Sequence, residues 1–231
     1  MGGLRRLFGG NGQSDAQAKP VRAAPAETPP TDTLTREQIL LAIRDLTMGD
    51  ALAEAIGEQV LDGIINDEDL PFIGLLDYSR PMAAIGHALA ATGRIISVDW
   101  RAGDEEIFTE FFPVYEKAGV KWPVDAEDKV TRWIADPELD ISSSMALVYY
   151  ALRPETRAAG FEILDISDGS DSYHMFLAPQ AAANRWVNVM LGDMVWIEHP
   201  EYQFRTMFKK NKWEILFPEH ASDNPATAPE A

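Results

Sequence analysis

The sequence predicts an α/β or α+β fold: a single domain over residues 34–218, with N-terminal helices and a small central sheet, between disordered tails at 1–33 and 219–231. Three observations predict it. Apolar residues recur at helical spacing behind capping residues in the first half of the chain. Short β-branched and aromatic runs follow at 95–100, 161–166 and 173–177. The two ends are rich in Pro and small residues without apolar periodicity, and such segments cannot bury enough apolar surface to offset their ordering entropy.

The elements follow in order. Thr35 and Gln38 fit a capping box ahead of a helix with the stripe Ile39, Ile43 and Leu46. Asp50 caps a second helix with the stripe Leu52, Ile56, Val60 and Ile64. Ser79 caps a third, with Pro81 in the first turn, where a missing N–H costs nothing. Its stripe is Met82, Ile85 and Leu89, which leaves His87 on the solvated side, and Gly93 is its stop.

After the strand at 95–100, Asp104 is read as the cap of a fourth helix that Pro113 kinks or interrupts. A short helix is expected at 129–135. Ser142, Ser143 and Ser144 precede a buried helix over 145–152, continued or restarted at 154–159. Two strands at 161–166 and 172–178 then flank a turn at Asp168-Gly169, a strong hairpin signal. A helix from Pro179 runs through Trp186, Val189 and Met190, and strands are read at 194–198 and 212–217.

The chain has 231 residues, no cysteine and a net charge of −17. Residues 1–33 hold four basic and three acidic side chains and residues 219–231 three acids, so the body carries nearly all of the negative charge. Such a body repels nucleic-acid phosphates and favours a basic protein partner. Without cysteine there are no disulfides and no thiolate zinc sites, which suits a cytoplasmic protein. No apolar run reaches the ~20 residues that span a bilayer. The start of the chain lacks a secretory signal and, with Arg6 at the required Ser/Thr position, a myristoylation pattern. One short turn at Leu4–Phe8 is the only candidate for touching a membrane surface. The basic, aromatic stretch of Arg205, Lys209, Lys210 and Lys212 is read as a helix face leading into an edge strand, not a nucleic-acid site.

The richest chemistry lies between Asp165 and His174. Asp99, Asp165 and His174 are the catalytic candidates, with either aspartate able to orient the imidazole. Asp168, Ser170, Asp171 and Tyr173 are the binding candidates. Asp165, Asp168 and Asp171 offer hard oxygen ligands for a divalent cation, but their spacing of three fits a hairpin better than a metal loop, so neither metal nor cofactor is expected. Alternation puts Tyr173, Met175 and Leu177 on one face of the strand and His174, Phe176 and Ala178 on the other, both largely apolar, as in an inner strand.

The stretches Gly93–Trp100 and Asp168–His174 resemble patterns in small bacterial domains of unknown function and, more loosely, acidic immunity proteins of polymorphic toxin systems. That resemblance implies a non-enzymatic bacterial module and carries over no catalytic residue. The leading expectation is therefore a cytoplasmic binding or regulatory module that presents carboxylates to a basic partner. The alternative is a hydrolase using an Asp/His site, with or without a divalent ion, at the 165–174 hairpin.

Overall fold

Capping chemistry sets the first three helices. The computed structural model describes residues 34–65, 79–136, 143–167, 171–192 and 195–205. In it α1 (Arg36–Thr47) starts on a complete capping box: Gln38 N–H donates to Thr35 Oγ1 at 3.3 Å and Thr35 N–H to Gln38 Oε1 at 2.7 Å. Asp50 Oδ1 accepts from Ala53 N–H at 2.9 Å to open α2 (Ala51–Leu61). Ser79 Oγ accepts from Met82 N–H at 3.2 Å to open α3 (Arg80–Thr92), which Gly93 ends in the left-handed region at φ 67°.

The described chain continues through β1 (Ile95–Asp99), α4 (Asp104–Ala118), α5 (Ala126–Ala135) and α6 (Ser144–Ala158). It then forms β2 (Phe161–Ser167), β3 (Ser172–Pro179), α7 (Gln180–Trp186), β4 (Met190–Gly192), β5 (Val195–Glu198) and α8 (Glu201–Arg205). The strands make one antiparallel sheet in the order β1-β3-β2-β5-β4, so the fold is mixed α+β. The predicted tails, the 168–170 turn and the 212–217 strand lie outside the described residues.

Helices cover both faces of the sheet. On one face α4, α5, α6 and α8 pack on Ile96, Val98, Ile163, Tyr173, Met175 and Leu177. On the other, α1, α2, α3 and α7 pack on Ile95, Leu164, Ile166, Phe176, Ala178 and Ile197. With β3 inside the sheet and covered twice, every residue from 173 to 178 is buried, as the alternation predicts.

Six local expectations are corrected. The buried stripe of α2 is Ala53, Gly57 and Val60, while Leu52 and the nearby Ile64 are exposed. The cause is close packing: a Cβ on Gly57 would lie 2.6 Å from Ile43 Cδ1 and 3.2 Å from the Ala84 carbonyl oxygen. Small residues let α2 sit directly on α3, and the bulky positions turn outward. Gly57→Val is expected to cost about 1–3 kcal/mol by overpacking, read as a lower urea midpoint at unchanged slope.

His87 is buried, not solvated, because α1, α2 and the sheet all pack against α3 and every residue from 82 to 89 is buried. The cap of α4 is Gly103, with Asp104 its first residue, and Pro113 does not interrupt the helix. Pro113 is exposed, as is Thr109 one turn earlier, so the carbonyl left without an N–H faces water. The helix expected at 129–135 begins a turn earlier, at Ala126. α7 stops at Trp186, and Asn188 at φ 63° turns the chain so that Met190 joins β4.

Candidate functional site

Strand pairing decides which polar side chains can meet. Leu177 N–H donates to the Arg94 carbonyl at 3.3 Å and Trp100 N–H to the Asp171 carbonyl at 2.9 Å. Even-numbered β1 residues therefore form the hydrogen-bonded pairs with β3, and Ser97 and His174 face each other as a non-hydrogen-bonded pair. Side chains stand closest at such pairs. Ser97 Oγ lies 3.1 Å from His174 Nδ1. Ser97 is exposed, whereas His174 is only 7% exposed.

Asp165 reaches the same residue differently. The β2–β3 register ends at Asp165 opposite Met175. The next N–H directed at β2 is that of His174, and Asp165 Oδ1 accepts it at 2.8 Å in place of a backbone carbonyl. Asp165 shares its sheet face with Ile163, toward α6, while His174 shares the opposite face with Phe176. The carboxylate thus holds the main chain of His174 while its side chain lies across the sheet from the imidazole.

The other sequence candidates are placed as follows. Asp99 is exposed at the end of β1, where Oδ1 accepts from Arg101 N–H at 2.8 Å, a turn contact. Asp171 is exposed beside it. Tyr173 is buried on the α6 face. Asp168 and Ser170 lie outside the described residues. No group of three or more His, Asp or Glu able to hold a metal ion occurs among the described residues.

A second polar cluster, which the sequence reading missed, lies under α6 and α8. Arg153 Nη2 meets Glu201 Oε2 at 3.0 Å, both side chains buried, and the guanidinium lies 5.8 Å from the centre of the Tyr149 ring. Gln203 Nε2 donates to Glu198, and also to Ser167 Oγ at 3.4 Å. Arg153 ends an apolar run, and Glu198 alternates with Ile197. Those are faint signals, legible only once the strand order puts Asp165 opposite Glu198.

Burial pushes the phenols of Tyr115, Tyr149 and Tyr173 above their ordinary range, and for Tyr173 the Asp165 and Glu198 carboxylates add to the rise. Their folded values lie above the unfolded one of about 10. Their contribution to stability is therefore complete below pH ~10 and is lost as pH rises through the folded values. In an ultraviolet titration of the six tyrosines, these three are expected to ionise only in a cooperative unfolding step. A smooth titration of all six in the ordinary range would contradict their burial.

The third feature is a surface. Arg36 bridges Glu58 at 2.6 Å and Asp62 at 2.9 Å, Arg44 meets Glu54 at 3.0 Å, and Arg185 meets Asp45 at 2.7 Å. Arginines thereby pair with Asp45, Glu54, Glu58 and Asp62 on and beside α1 and α2, and Arg36 holds the Asp62 carboxyl below its usual range. On α4 the exposed Glu105, Glu106, Glu110 and Glu116 form no ion pair among the described residues. Glu106 and Glu110 stand one turn apart, a like-charge spacing that costs about 0.2–0.5 kcal/mol. Glu127 and Asp128 on α5 are likewise exposed and unpaired among the described residues. On α4 itself Phe112 is half-exposed and packs edge-on against Trp122, with ring centres 5.3 Å apart.

One protein family matches residues 26–192, a domain of unknown function designated DUF6630. The chain belongs to this family. The match reaches through α1 to the last residue of β4, so it takes in α4, α5 and the paired Ser97 and His174. No curated protein and no solved structure matches the chain. No helix among the described residues of this DUF6630 chain is long and apolar enough to cross a membrane.

Proposed function

We propose that this domain is a binding or regulatory module that presents the acidic face of α4 and α5 to a basic protein partner. The observation that carries the reading is the uneven pairing of charge. Arginines pair with Asp45, Glu54, Glu58 and Asp62 on and beside α1 and α2, while Glu105, Glu106, Glu110 and Glu116 stand exposed and without ion pairs among the described residues. A one-signed row steers an oppositely charged partner and raises its association rate. Phe112 beside Trp122 supplies the apolar contact that a charged rim lacks. The body's negative charge opposes nucleic acid as the partner. The absence of cysteine and the similarity to acidic immunity proteins support a cytoplasmic module with a basic partner.

The test is affinity capture on the immobilised full chain at low and high salt, followed by titration of each purified captured protein. A basic partner whose affinity falls at least tenfold as screening rises supports the reading. Partners that are acidic, or whose binding is indifferent to salt, would overturn it.

A further inference from the structure

A separate chemistry resides where β1 meets β3. Ser97 Oγ is solvent-exposed and 3.1 Å from His174 Nδ1. Two backbone features hold the pair in place. The register sets Ser97 opposite His174, and Asp165 Oδ1 clasps the His174 N–H at 2.8 Å. β1 is an edge strand, and the Ser97 N–H points away from β3 and has no partner among the described residues. An exposed hydroxyl, a hydrogen-bonded imidazole and an open backbone donor are the parts that activate a serine nucleophile.

We propose that Ser97 and His174 form an acyl-transfer site for small carboxylic esters. His174 Nδ1 takes the hydroxyl proton as Ser97 Oγ bonds to the ester carbonyl carbon, and the Ser97 N–H faces the developing oxyanion. The bond to the leaving alkoxide breaks as His174 returns the proton to it, leaving an acyl-Ser97. His174 then takes a proton from water, whose oxygen attacks the acyl carbon. The Ser97 Oγ bond breaks, and the proton returns to the serine as the carboxylic acid departs. Asp99, on the same face of β1 as Ser97, and Asp171 beside it disfavour anionic esters and leave neutral or cationic ones as the substrate class.

The test uses the full chain with p-nitrophenyl acetate and a neutral fluorophosphonate probe. Stoichiometric fluorophosphonate adduct at Ser97, located by peptide mass spectrometry, is expected, with p-nitrophenyl acetate turnover above that of Ser97→Ala. His174→Gln keeps a hydrogen-bonding side chain but cannot shuttle the proton, and is expected to slow both reactions at least 100-fold. Circular dichroism and the thermal midpoint establish that each variant is folded. If either is not, Ser97→Gly and His174→Asn serve instead. No adduct at Ser97, or an adduct that forms as fast in the folded His174 variant, would overturn the proposal.

Discussion

Arg153→Met is expected to lower the free energy of unfolding by about 3–5 kcal/mol. Arg153 and Glu201 are 3% and 6% exposed, so neither charge has much water. Removing the guanidinium takes from the buried Glu201 carboxylate the ion pair with Arg153 that offsets its desolvation. It also removes the cation near the face of Tyr149, whose hydroxyl is itself buried without a hydrogen bond among the described residues. The pair is a liability only when broken. Arg153→Met with Glu201→Leu replaces both charges by apolar groups of similar reach, and is expected to recover most of the loss. Urea denaturation of the two single variants and the double variant gives the coupling energy directly. Additive losses would mean that the two side chains do not depend on each other.

Trp122→Ala is expected to cost about 3 kcal/mol. Its ring makes edge-on contacts with Phe108, Phe112 and Tyr115 at centroid distances of 5.9, 5.3 and 5.2 Å. Each such pair is worth about 0.5–1.5 kcal/mol beyond the area it buries. Trp122 follows the turn after α4 and ties its exposed Phe112 to the buried Phe108 and Tyr115. Trp122→Phe keeps an aromatic edge and is expected to lose less. The same urea midpoints check both, and equal losses would show that ring contacts contribute little beyond area.

Much of the fold is legible in the sequence because caps and strands are local chemistry. Thr35, Asp50 and Ser79 each make the cap their position predicts. The alternation along 173–178 also identifies an inner strand before any partner is known. What the sequence does not show is what packs against what. The stripe of α2 is displaced because Gly57 is the contact point for α3, and His87 is buried because other elements pack against α3 on every side. The site is legible in part for the same reason. His174 and Asp165 stand out as polar groups in apolar strands, but strand order puts them on opposite faces and brings in Ser97 from β1. Arg153 and Glu201, 48 positions apart, are paired only by the packing of α8 against α6.

The most direct measurement of the acidic face compares two charge reversals of equal size in binding to a captured basic partner. One is Glu105→Lys with Glu106→Lys and Glu110→Lys. The other is Glu54→Lys with Glu58→Lys and Asp62→Lys, acids that already pair with Arg36 and Arg44. Net charge changes equally, so any difference reports location. If α4 is the docking face, the first set raises Kd at least 100-fold and the second by less than tenfold. Equal weakening by both sets, or none by the first, would contradict a docking face on α4.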